Sequence, residues 1–424
     1  MGCRASYVPL GEIAKFESGG TPSKKNKRYW DGSIPWISAK TLVGDTVYES
    51  DLAITKEGLE AGSKLAPKGS LLLLTRGSGL FKRIPLAIAG KEVAFNQDIK
   101  CVNSAAKGIS NRYLFYALTS LEPSISAMLE TTGIGAGKLA TDRLKALPVP
   151  VLDEAARDKV THFADCIYRK IHLNTKLNGY LVKACDVLYS NYAAGEQAAE
   201  WPMGTLEDLL EIRYGKDHKK LNDGNIPVYG SGGYMRSVDR FLYSGESVLI
   251  PRKGSLNNVM YVREKFWTVD TMFYAVPKSP NVAKYAYQFI KRLDLASMNS
   301  GSAVPSMTTK ILNALPVPIP PKESLHAFDD QLQPYYSAIC ANAIENELLA
   351  ALRDALLPKL MSGEIDVSKV DLTQLNSHLA ETLRPFGCHI LATQKRGGPH
   401  PCEPPRAPGY HATAPIGTTP LLPK

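Results

Sequence analysis

Apolar residues recur at two different periods along the chain, and the change of period divides it. Behind Pro150, Val160, Ile167, Asn174, Leu181 and Leu188 fall at strict sevens, with Ala164, Ile171, Asn178 and Cys185 on the interleaved positions. That is the seam of a helix built to pair with another helix. The same seam is written again 168 residues later, as Phe328, Tyr335, Asn342, Leu349 and Leu356 with Leu332, Ile339, Asn346 and Arg353 between them. An amide in an apolar seam is satisfied when it faces another amide, so Asn174 and Asn178 opposite Asn342 and Asn346 favour one register. The alternative is that each Asn marks the solvated edge of an amphipathic helix. Pro334 either kinks the second helix or marks its start.

Each helix is preceded by the same five residues, Ala146 to Pro150 and Ala314 to Pro318, and opened by prolines and first-turn acids. Upstream, short β-rich runs bounded by Gly and Pro read as strands: Leu71 to Thr75, Ile84 to Ala89, Ser247 to Ile250 and Asn258 to Val262. The segments before the helices also correspond. Leu10, Glu12 and Gly19 match Leu206, Asp208 and Gly215; Ile34-Pro35-Trp36 matches Ile226-Pro227-Val228; Gly69 and Arg76 match Gly245 and Arg252. Asn96 to Asp98 matches Asp270 to Met272, Tyr113 to Tyr116 matches Tyr285 to Phe289, and Gly133 matches Gly301. The predicted class is α+β, with two tandem globular α/β modules at 1–150 and 196–320. Each is followed by a long helix, at 151–195 and 321–363, and the two helices pack as an antiparallel coiled coil with pseudo-two-fold symmetry. Residues 371–424, rich in Pro and Gly, lack sustained periodicity and are expected to be disordered.

A chain of 424 residues with 44% hydrophobic content is long enough for two such cores. Its purely apolar runs, Leu71 to Leu74 among them, are far too short to span a membrane, and the expected location is the cytoplasm. Seven scattered cysteines with no CxxC pair suggest neither a disulfide framework nor a zinc knuckle. Catalytic signatures are missing as well. Gly133 to Lys138 looks like a phosphate loop, but it is one residue short between its outer glycines and has Leu139 where Ser or Thr would bind magnesium. It reads as a glycine-rich turn carrying a lysine. Trp36, Phe95 and Tyr113 read as core.

The net charge of +9 is unevenly spread. Residues 1–150 carry +7 and 196–320 carry +3, against +1 for 151–195 and −3 for 321–363. Within the modules, Lys24, Lys25, Lys27 and Arg28 precede Tyr29, Trp30 and Trp36, while Lys216, His218, Lys219 and Lys220 sit between Tyr214 and Tyr229. Both clusters follow a glycine and precede an Ile-Pro strand start. Their cations suit phosphates, and the polar and aromatic neighbours suit base edges. A second matched pair directly follows a buried strand: Arg76, Ser78, Lys82 and Arg83 in one half, and Arg252, Lys253, Ser255, Asn257 and Asn258 in the other. Arg to guanine and Asn to adenine are the expected pairings in a major groove.

The layout of module, helix, module, helix, with Leu-Pro-Val-Pro before each helix and Leu356-Leu357-Pro358-Lys359-Leu360-Met361-Ser362-Gly363-Glu364-Ile365 at the close, resembles the DNA specificity subunit of type I restriction-modification systems. The resemblance covers residues 5 to about 367. It implies a non-catalytic subunit whose two target-recognition modules each read half of a bipartite double-stranded DNA site. The helices would act as ruler and as docking surface for two methyltransferase subunits, with restriction and translocase subunits joining the complex. No cofactor is expected on this chain; S-adenosylmethionine, ATP and magnesium are expected on the partners. A non-catalytic helical scaffold, or a DNA-binding protein outside any restriction system, is the alternative.

Overall fold

The computed structural model describes residues 5–133, 135–298 and 306–366, together with the backbone of 391–392. Two helices dominate it, Glu154–Ala194 and Lys322–Met361. At 41 and 40 residues each spans roughly 60 Å. The Asp153 side chain caps the first by accepting from Ala156 N at 2.9 Å. The second runs unbroken through Pro334, so that proline does not start the helix.

The amides of the seam settle the direction of pairing. Asn174 Nδ2 donates to Asn346 Oδ1 at 3.0 Å, and Asn342 Nδ2 donates to Asn178 Oδ1 at 2.7 Å. Each step up one helix is a step down the other, so the pair is antiparallel and the two rungs exchange under a pseudo-two-fold rotation. Asn174 also donates to Glu345 at 2.7 Å and Asn178 to the Ile339 carbonyl at 3.0 Å. The rungs are therefore polar throughout.

Each module contains one five-stranded and one four-stranded sheet. In the first module the larger sheet runs Ala14–Ser18, Ile99–Ser104, Leu71–Leu74, Leu86–Ala89, Thr46–Val47, and the smaller Ala53–Ile54, Trp30–Ile37, Val93–Phe95, Lys64–Ala66. The second repeats this order as Leu210–Tyr214, Met272–Pro277, Ser247–Pro251, Met260–Val262, Leu391–Ala392, and Gly233–Val238, Asp223–Gly230, Lys265–Thr268, Tyr243–Ser244. Its last large-sheet strand, Leu391–Ala392, pairs antiparallel, whereas Thr46–Val47 pairs parallel. Those two residues are the described part of the tail expected to be disordered; the rest of 371–424 lies outside the described residues, as does Gly301.

The repeated Leu-Pro-Val-Pro segments that precede the helices form strands. Pro148–Val151 pairs with Ser6–Pro9, and Pro316–Pro318 with Met203–Thr205, so each module is closed by its two ends. A tyrosine locks each closure: Tyr113 OH donates to the Pro150 carbonyl at 2.9 Å, and Tyr285 OH to that of Pro318 at 2.8 Å. Trp36, Phe95 and Tyr113 are buried, as expected of core residues. The first module's core takes in Val160, Phe163 and Ile167 from the start of one helix and Leu357, Leu360 and Met361 from the end of the other. The second takes in Tyr189, Leu325, Phe328 and Leu332. Both helices thus reach both modules. Cys101, Cys166 and Cys185 are free thiols.

Candidate nucleic-acid interface

Both basic segments of each module hang from one short connector. In the first module Gly20 N donates to Phe95 O at 2.9 Å, Thr21 Oγ1 to Gln97 at 2.5 Å, and Thr75 N, just before Arg76, to Asp98 O at 2.8 Å. In the second, Lys216 N donates to Thr268 O at 2.8 Å, Gly215 N to Met272 O at 3.0 Å and Arg252 N to Thr271 O at 2.8 Å. The glycines that open the first clusters are required by close approach. A Cβ at Gly19 would lie 2.2 Å from Phe95 O, and one at Gly215 would lie 2.1 Å from Val269 O.

Lys24, Lys25, Lys27 and Arg28 are exposed, on a loop that ends in a single helical turn, Lys27–Tyr29. The aromatic residues beside them shape the loop instead of facing out. Trp36 Nε1 donates to Gly20 O at 3.0 Å, Trp30 Nε1 to Ser23 O at 3.2 Å, and the two rings meet edge to face at 5.3 Å. In the second cluster Lys216, Lys219 and Lys220 are exposed, but His218 is half-buried with Nδ1 left without a partner. Asp217 lies among them, its exposed carboxyl held below the usual range by the backbone N–H of Lys219.

The strand-end loops differ more. Arg76, Ser78, Lys82 and Arg83 are exposed around a short turn, Ser78–Phe81. Arg83 lies near Asp45, whose carboxyl burial pushes up against the pull of Arg353 and Arg83. In the second module the amides expected to read adenine are hydrogen-bonded to the protein. Asn257 Nδ2 donates to Asp294 at 3.0 Å while its Oδ1 accepts from Ala296 N at 3.1 Å, and Asn258 Nδ2 donates to Ser231 O at 2.8 Å. Arg252 lies 5.4 Å over the Tyr214 ring and donates to Asp270 O at 3.2 Å. Lys253 remains exposed.

Register also moves the correspondence by one residue. Leu139 N donates to Thr75 O, and Met307 N donates to Arg252 O, both at 2.9 Å. Arg252 therefore stands where the first module has Thr75, and Arg76 corresponds to Lys253. The strand Ser247–Pro251 is one residue longer than Leu71–Leu74, so matching both arginines from the flanking sequence slipped. The connectors shift likewise, Asn96 falling opposite Val269. The sequence also left out Lys138, which stands directly across an antiparallel ribbon from Arg76.

A family model described as the type I restriction modification DNA specificity domain matches residues 5–178 and again 198–351, the two halves the geometry repeats. The chain belongs to that family. It is a type I specificity subunit with two target-recognition domains. It is 25% identical over 408 residues to the type I restriction enzyme MjaIX specificity subunit of Methanocaldococcus jannaschii, covering 85% of this chain and 93% of the relative. The EcoR124I/EcoR124II specificity subunit of Escherichia coli is 32% identical over 161 residues, 38% of this chain and 40% of that protein. The crystal structure of the type I S subunit from M. genitalium superposes with a TM-score of 0.53 at 17% identity, covering 84% of this chain and 96% of that one, and so shares the fold. The scaffold alternative gains no support from these relatives. Among the described residues no helix is long and apolar enough to cross a membrane.

Proposed function

We propose that each module of this specificity subunit reads one half of a bipartite duplex DNA site and that the paired helices fix the number of unread base pairs between the halves. The observation that carries this reading is the pair of amide rungs, Asn174 with Asn346 and Asn178 with Asn342, which locks two equivalent modules to opposite ends of one rigid rod. The chain itself does no chemistry in this reading. Methyltransferase subunits bring S-adenosylmethionine, and restriction subunits bring ATP and magnesium, all within the cytoplasm. Leu173, Leu177, Tyr180 and Val187, between 46% and 58% exposed along one face of the first helix, offer apolar area for a helix of a methyltransferase subunit.

Because both helices reach both modules, the rod lengthens only when both are extended together. Four residues inserted after Asn178 and four after Ala341 add roughly 6 Å, or one to two base-pair steps. Methylation mapping of DNA from cells carrying the variant should show a spacer longer by that amount and unchanged half-sites. An active variant with the parental spacer, or with altered half-site bases, contradicts the ruler.

A further inference from the structure

Lys138 ends the glycine-rich segment, and the fold gives it neighbours that its sequence context does not. The hairpin over 132–137 is closed on itself: Gly135 N donates to Thr132 O at 2.8 Å, and Ala136 N donates to Thr132 Oγ1 at 3.1 Å. Those two N–H groups are turned inward, so the charged groups this ribbon presents are its side chains. Lys138 faces Arg76 across one antiparallel pair and Glu130 across the other. The Glu130 carboxylate pairs with Arg143 at 3.3 Å. Directly opposed side chains on such a ribbon lie about 5 Å apart at Cβ, and like charges there oppose pairing. The row sets three cations against one carboxylate.

Its base is rigid. Leu139, the next residue, and Thr75, the residue before Arg76, are both buried and joined by the 2.9 Å bond already described. A Cβ at Gly137 would meet Leu80 Cβ at 3.1 Å, so the ribbon is pressed against the turn that carries Ser78. At the corresponding place in the second module Lys253 bridges to Ser306, one cation where the first module has two.

We propose that Arg76 and Lys138 together grip one phosphate of the DNA backbone, and that this contact sets the loop of Ser78, Lys82 and Arg83 against the bases. The proposal rests on the DNA-reading role above. An anion between the two cations converts their mutual repulsion into two charge-assisted hydrogen bonds, with the Arg fork and the Lys point charge approaching from opposite strands. A backbone contact of this kind positions the module without itself selecting a base.

The test uses the full chain assembled with its modification subunits, a duplex carrying the mapped site and a scrambled duplex of equal length. Arg76→Gln should leave the DNA-free melting temperature equal or higher while weakening binding to both duplexes about tenfold and lowering the salt slope by about 1. Lys138→Gln should give the same binding loss, and Lys138→Arg should restore affinity and slope. The double variant should lose no more slope than either single, since one phosphate is served. Unchanged affinity and slope in the Gln variants overturn the clamp, as does a slope loss near 2 in the double variant, which would assign separate phosphates. A parent complex that shows no salt-dependent binding to either duplex removes the DNA-reading role itself.

Discussion

In the first half Tyr113 reaches the Pro150 carbonyl and in the second Tyr285 reaches that of Pro318, yet the residues just before these tyrosines meet the long helices in opposite ways. Arg112, nearly half exposed, pairs with Asp165 at 2.5 Å, and Asp165 also accepts from Tyr116. Lys284, only 1% exposed, sits 2.7 Å from Asp329 and 3.5 Å from Glu246, which in turn accepts from Tyr261 at 2.5 Å. The strand-end loops diverge in the other direction, open and cationic in the first module, bonded inward in the second. Contacts that place backbone against backbone are kept in both copies; side chains facing solvent or the helix flank are free to differ. A duplicated frame can thus carry two unlike reading surfaces.

The largest expected effect tests the junctions. Lys284→Met leaves the Asp329 carboxylate buried without its cation and should cost about 3 kcal/mol in chemical denaturation of the full chain, whereas Arg112→Met at a half-exposed pair should cost at most about 1 kcal/mol. Equal losses would erase the difference between the two junctions. The seam tests their sameness. Asn174→Leu and Asn342→Leu are related by the pseudo-two-fold, each orphans one amide oxygen across the seam, and each should cost about 2 kcal/mol. Values differing by more than about 1 kcal/mol would show that the symmetry holds in geometry alone.

The smallest effect concerns the first basic clusters. Lys24→Ala should lower the salt slope of DNA binding by about 1 with little change in sequence preference. Lys219→Ala should lower it less, because Asp217 lies within that loop. A larger loss at Lys219 would reverse the ranking of the modules and make the second the main phosphate contact.

Much of the frame was legible because it depends on periodicity and repetition. The heptads with their Asn rungs, the repeated Leu-Pro-Val-Pro and the offset tyrosines each leave a one-dimensional trace, since a helix seam and a duplicated strand closure must recur at fixed spacing. The candidate interface was legible only as exposed charge. That Trp30 and Trp36 brace their loop, and that Asn257 and Asn258 tie down theirs, depends on carbonyls and carboxylates brought near by other strands.

By itself, then, the sequence determined two modules, two paired helices and where positive charge gathers, because burial and pairing of helices impose periods that composition cannot hide. Tertiary structure decided three further matters: that Arg76 answers to Lys253 and not Arg252, that Lys138 belongs beside Arg76, and that both helices brace both modules. Each turns on strand register or on which end of a helix meets which core. A one-residue difference in strand length or the direction of a helix pair moves a side chain by several ångströms without altering the local pattern that encodes it.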